Sequence, residues 1–192
     1  MAVVTQQSSI TVEDYLKQEE KAIDKSEWIQ GEIIKMAGAS ANHNRLALNL
    51  SRLLPLQGGE QNYEIFVSDM RLWIGEAQSY VYPDVMVIAG EPEFTDAQQM
   101  AVTNPCFIAE VLSPSTAGFD QSQKFTLYRS IPQLREYLLI EQKSYRVELC
   151  KKVGERQWLL TEFMGKDAIV ELETVNLQIH LSDLYKRVKF DE

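Results

Sequence analysis

Two carboxylates stand where a folded chain rarely tolerates them. Asp84 lies in Val81-Tyr82-Pro83-Asp84-Val85-Met86-Val87, and Glu110 lies in Cys106-Phe107-Ile108-Ala109-Glu110-Val111-Leu112. Both runs read as strands, and the stretch 85–88 is apolar on both faces, as a central strand is. An ionised carboxylate there loses its hydration and needs a positive partner. If the two strands are neighbours in one sheet, the carboxylates converge. Two carboxylates with waters then make a hard-oxygen site suited to Mg²⁺ or Mn²⁺. The plainer reading is that Asp84 caps a turn after Pro83 and Glu110 pairs with an arginine such as Arg71. The occurrence of both acids together favours a site.

The cation for such a site can come from the segment that follows Glu110. Asp120, Lys124 and Tyr128 recur at spacing four, so a helix over 120–129, capped by Asp120, puts them on one face. Lys124 would reach back over the carboxylates, to orient a hydrolytic water or to stabilise charge on a phosphate oxygen. A surface pair between Asp120 and Lys124, with Tyr128 half buried, is the commoner outcome of this spacing. Glu32 and His43 bracket the small, polar stretch 37–42. His43 at a helix start can donate to phosphate or transfer a proton, or can simply open the helix as a polar residue. His180, inside Leu177-Gln178-Ile179-His180-Leu181, reads as structural. There is no Gly-rich phosphate loop, no GxSxG elbow and no HExxH, and Ser113 and Ser115 do not amount to a hydrolase triad.

The elements that must carry these residues follow from periodicity and caps. Thr11-Val12-Glu13-Asp14 opens a short helix ending near Ala22. Residues 27–30 and 32–36 are extended and turn at Gly31. Leu46, Leu50, Leu53 and Leu54 give 43–56 a helical apolar face. Strands are expected at 63–67, 71–74, 80–89, 106–112 and 136–140. Residues 113–118 form a loop, and alternating segments at 145–150, 158–163, 168–172 and 177–180 precede a terminal helix capped by Ser182. This order predicts a mixed sheet with helices on its faces.

The chain has 192 residues, 45% hydrophobic and 24% charged, which supports a sizeable core in a single domain, 1–192, and argues against long disorder. A net charge of −9 argues against broad coating of nucleic acid but permits a local basic groove, for which Arg45, Arg52, Arg71 and Lys35 are candidates. No apolar run approaches the ~18 residues of a membrane span, and the first residues lack a signal pattern, so a cytoplasmic location is expected. Cys106 and Cys150 lack CxxC spacing and read as packed thiols.

Three segments together carry a family resemblance: Gly31-Glu32-Ile33-Ile34-Lys35-Met36 followed by His43; Tyr82-Pro83-Asp84-Val85; and Glu110-Val111-Leu112-Ser113-Pro114-Ser115-Thr116 with Asp120, Lys124 and Tyr128. They resemble a large bacterial family of restriction-endonuclease-like proteins, long catalogued as a domain of unknown function, in the PD-(D/E)XK nuclease superfamily. The resemblance covers about 11–140. It implies an α/β fold, an α+β mixed sheet with an αβββαβ nuclease core over 11–140 and a β-rich extension over 145–192. In it Pro83-Asp84 is the PD element and Glu110 the second acid. Leu112 stands where the superfamily usually has lysine. It points the same way as Glu110 and cannot supply a cation, which leaves Lys124 as the substitute.

On this resemblance, Asp84 and Glu110 hold Mg²⁺ or Mn²⁺ with the Val111 carbonyl as a third ligand, and Lys124 positions a water for in-line attack on a DNA phosphodiester. Glu32 and His43 complete the site from the facing side, and Tyr128 contacts phosphate or holds Lys124. The expected function is a metal-dependent DNA endonuclease working as a homodimer or higher oligomer. The competing readings are an inactive nuclease-fold binding module and an oligomeric structural protein whose C-terminal third, with Trp158 and Phe163, makes the interface.

Overall fold

A computed structural model of the chain describes residues 9–36, 38–113, 118 and 120–190. Helix α1 (Val12–Glu19) starts where the Thr11 hydroxyl accepts the Asp14 N–H. Strands β1 (Ser26–Ile29) and β2 (Glu32–Lys35) form a hairpin whose turn residues, Gln30 and Gly31, have φ of 51° and 94°. A Cβ at Gly31 would lie 2.6 Å from that of Ser9, so this turn requires glycine on both counts. Helix α2 (Ala41–Leu53) begins two residues earlier than its apolar periodicity indicates, because the Ser40 side chain caps it by accepting the His43 N–H. His43 therefore sits within the first turn rather than at its opening.

The remaining strands are β3 (Gln57–Gly58), β4 (Gln61–Val67), β5 (Arg71–Ile74), β6 (Ser79–Val81), β7 (Val85–Ala89), β8 (Ala101–Val102), β9 (Phe107–Leu112), β10 (Glu136–Glu141), β11 (Arg146–Gly154), β12 (Gln157–Met164), β13 (Ile169–Leu172) and β14 (Leu177–His180). They build a five-stranded sheet in the order β2-β1-β6-β5-β8, a seven-stranded sheet in the order β12-β11-β10-β9-β7-β4-β3, and the small pair β13-β14. The expected single strand over 80–89 is thus two strands in two different sheets. Pro83 has no N–H to give a ladder, and the chain changes sheet across Tyr82-Pro83-Asp84. Asp84 sits at that crossing.

The alternation of β7, β9 and β10 sends side chains to two cores. Val85, Val87, Phe107, Ala109 and Val111 pack with Leu46 and Leu50 of α2 on one face. Met86, Ile88, Ile108 and Leu112 pack with Tyr128 and Leu139 on the other. β9 runs parallel to β10 and antiparallel to β7. The C-terminal strands β11 and β12 continue this same sheet as an antiparallel meander instead of standing apart from it.

The helix expected over 120–129 is a π-helical turn, Asp120–Lys124, running into an α-helical turn, α3 (Phe125–Tyr128). Gly118 is already helical, so Asp120 lies inside the element and is not its cap. Ser182 likewise falls inside α4 (Leu181–Leu184), which has His180 at its N-cap position. Of the loop expected over 113–118, residues 114–117 lie outside the described residues. Cys106 and Cys150 are buried free thiols, both pushed up to about 11 by burial. Among the described residues no helix is long and apolar enough to cross a membrane.

Candidate active site

Asp84 is held from three directions. Its Oδ2 accepts the Val111 N–H at 2.8 Å and faces His43 Nε2 at 3.0 Å, while its own N–H donates to Glu110 Oε2 at 3.3 Å. The first contact comes from β9 and the second from α2. The N-terminal end of α2 is itself anchored, because Ser40 Oγ donates to Gln142 Oε1 and Gln142 Nε2 donates to the Leu112 carbonyl. Placing α2 over the end of β9 is what brings imidazole to carboxylate.

Glu110 lies on the β9 face that also carries Ile108 and Leu112, and it is buried. Its Oε1 accepts Tyr128 Oη at 2.6 Å and Lys124 Nζ at 3.1 Å. Lys124 also meets Glu27 Oε1 at 3.0 Å and Asp120 Oδ1 at 3.6 Å, with its side chain only 8% exposed. Spacing four brings Lys124 and Tyr128 to one carboxylate over the α-helical turn that follows the π turn, a local widening often found at functional sites. Leu112 is packed in the second core, so the residue two beyond Glu110 makes apolar contact and supplies no cation.

The charges are unevenly matched: three buried carboxylates share one ammonium. Burial drives the Glu110 carboxyl well above its ordinary value; Asp84 and Asp120 add to the rise, while Lys124 and the Tyr128 hydroxyl oppose it. Burial alone would lower Lys124, but Glu110, Glu27 and Asp120 together outweigh it and hold the amine protonated. The Tyr128 hydroxyl is raised by burial and then by Glu110, so it stays a donor. His43 Nδ1 is buried and has no hydrogen-bond partner among the described residues. With Nε2 turned to Asp84, Nδ1 is a bare acceptor or an unshared donor.

Asp84, Glu110, Lys124, Tyr128 and His43 therefore form one connected cluster. Glu32 does not join it: the residue is exposed on β2, an edge strand. Tyr128 is fully buried behind Glu110, so the expected contact with phosphate gives way to support of the carboxylate. Arg71 is buried in the other sheet, donating to the Met100 carbonyl and lying over the Tyr80 ring, so it neither pairs with Glu110 nor offers a surface contact. Glu27 is the member that sequence reasoning missed. It is buried on β1, accepts the Tyr82 N–H at 3.1 Å and pairs with Lys124. Its strand, Ser26-Glu27-Trp28-Ile29, is short and flanked by polar residues, so it lacks the apolar run that marks Asp84 and Glu110.

The cluster offers oxygen donors to a divalent cation: the Asp84 carboxylate, Glu110 Oε2, and the Val111 carbonyl, which leaves β9 on the same edge as the N–H that meets Asp84. Among the described residues no three His, Cys, Asp or Glu side chains form a preformed cage. Mg²⁺ does not demand one, since it keeps several waters and takes one or two carboxylates. The surplus of buried negative charge around Lys124 is the feature that such an ion would neutralise, and the residues fit it.

Residues 12–182 match the model of the Uma2 family, described as "Putative restriction endonuclease". The chain is 65% identical over 177 residues to the uncharacterized protein sll1609 of Synechocystis sp. (strain ATCC 27184 / PCC 6803 / Kazusa), covering 92% of this chain and 100% of that protein. It is 35% identical over 183 residues to slr1290 of the same organism, also uncharacterized, covering 94% of each. A solved structure described as "a putative nuclease belonging to DUF820" from Anabaena variabilis ATCC 29413 superposes with a TM-score of 0.70 at 18% identity, over 92% of this chain and 97% of that one. At that identity the likeness is one of fold.

Proposed function

The chain belongs to the Uma2 family of restriction-endonuclease-like proteins, and from that premise we propose that it is a metal-dependent DNA endonuclease, with Mg²⁺ or Mn²⁺ held by Asp84 and Glu110. The observation that carries the reading is the meeting of Asp84, Glu110 and Lys124, residues far apart in sequence, in one buried cluster with surplus negative charge. When bound, the ion supplies a Lewis acid at the scissile phosphate and lowers the pKa of a coordinated water.

The protein's own groups prepare the site. The Val111 N–H and His43 fix the Asp84 carboxylate, and Tyr128 and Lys124 fix Oε1 of Glu110 so that Oε2 is turned towards Asp84. Lys124, kept charged by the carboxylates around it, holds Glu110 in place, and its field would act on a phosphate only where a bound ion offsets their surplus negative charge. His43 acts through Nε2, which orients Asp84, while its Nδ1 is shut away from solvent. DNA would be held by a few exposed cations, Lys35 and Arg52 among them, and the chemistry is expected in the cytoplasm.

A second reading, a nuclease fold that binds without cutting, is favoured by one observation: Lys124 is almost wholly occupied by carboxylates. A plasmid-cleavage assay across Mg²⁺, Mn²⁺ and chelator, run beside Asp84→Ala, separates the two. Cleavage that needs metal and vanishes in the variant supports the endonuclease. Retention of DNA without cleavage under every metal supports the binding module.

A further inference from the structure

The edges of the two larger sheets are not alike. β3 is two residues long and ends at Gly58, β8 is two residues long, and β2 is four residues long with Glu32 and Lys35 at its ends. Short or charged edges of this kind resist pairing with another chain. β12 is eight residues long without proline or glycine, and it pairs on one side only, with β11. Leu159, Leu160 and Met164 are 54%, 57% and 64% exposed. The one charged side chain within the strand, Glu162, is already engaged by Arg146. Both faces of the strand end in apolar side chains, since Trp158 packs on one core and Phe163 on the other. An edge with an open backbone and apolar residues on both faces is incomplete in a single copy.

We propose that β12 is a self-association edge, at which two copies pair antiparallel about Leu159 and join their seven-stranded sheets into one. A two-fold axis normal to a continuous sheet keeps each face in register, so only residues of the same face can sit opposite one another. Centring on Leu159 sets Leu159 against its own copy, Trp158 against Leu160, and Arg156, in the turn before the strand, against Glu162. Centring on Trp158 would put Arg156 against Leu160. Centring on Leu160 or Thr161 would put Glu162 against Trp158 or Leu160. Among these the Leu159 register alone keeps the apolar residues 158–160 opposite one another and sets Arg156 against Glu162, and its one mismatch, Glu155 opposite Phe163, involves a turn residue outside the strand. The inference does not rest on the chemistry of the carboxylate cluster.

Sedimentation and light scattering of the full chain from low to high micromolar concentration test it. The expected result is a dimer that Leu159→Lys weakens at least ~tenfold, with circular dichroism and thermal unfolding showing an unchanged monomer fold. Arg156→Glu alone weakens the dimer, and Arg156→Glu combined with Glu162→Arg restores it by exchanging the charges. A monomeric wild type, or a dimer that Leu159→Lys leaves intact, overturns the proposal. A double variant as weak as the single one overturns the register.

Discussion

Replacing Lys124 with methionine probes the charge balance of the site directly. Methionine keeps the aliphatic stem and much of the volume, so packing changes little while the ammonium is removed. The loss leaves Glu27, Glu110 and Asp120 without the cation they share, the first two within 3.1 Å of it and the third at 3.6 Å. Removing one partner of a buried ion pair costs ~3–5 kcal/mol. For a chain of this size that corresponds to a fall in Tm of roughly 6–20 °C. The cost depends on pH with a definite sign. Burial already raises the Glu110 carboxyl and Lys124 opposes that rise, so without Lys124 Glu110 binds its proton more tightly in the folded state than in the unfolded state. The deficit is therefore small below the ordinary carboxylate range and grows as pH rises through the folded values. The assay is thermal and urea unfolding in chelator at about pH 5 and about pH 8, repeated with Mg²⁺. A variant as stable as wild type at the higher pH would refute the view that this ammonium balances ionised carboxylates.

Three further outcomes are expected. Tyr128→Phe removes the 2.6 Å bond to Glu110 and should destabilise the protein by ~1.5–3 kcal/mol near neutral pH, as read by urea unfolding; a neutral substitution would mean the hydroxyl does not serve the carboxylate. Because the folded-state value of Glu110 is raised, metal-free wild type should lose stability as pH climbs above the usual glutamate range, and Glu110→Gln should flatten that slope in a thermal series; an identical slope would move the effect to another group. DNA cleavage, followed on a plasmid, should fall steeply with added salt, since each phosphate contact releases counterions; a flat salt profile would count against backbone contacts by Lys35 and Arg52.

Much of the site was legible because a charge inside an apolar strand is conspicuous. Asp84 and Glu110 announced themselves that way, and spacing four was enough to place Lys124 and Tyr128 towards one target. Glu27 escaped because a glutamate in a short hairpin reads as solvent-facing, and only the tertiary placement of Lys124 reveals its burial. Glu32 was drawn in by its nearness to the 37–42 stretch, but an edge strand turned it to solvent. The fold was legible at the level of element type. The split of 80–89 into strands of two sheets was signalled by Pro83 but hidden by the apolar residues on either side. The π turn at Asp120–Lys124 closes i→i+5 rather than i→i+4 hydrogen bonds, a widening that residues recurring at spacing four do not reveal in the sequence.

Lys124 is shared between Glu27 of one sheet and Glu110 of the other, and Asp84 lies on the segment that passes between them. None of these contacts is local, so no fragment and no growing chain that lacks either sheet carries the assembled cluster. Synthesis from the N-terminus lays down Glu27 and Asp84 well before Glu110 and Lys124 emerge. The centre therefore comes into being only when both sheets have formed and met, so its assembly reports tertiary folding and not the formation of any single element.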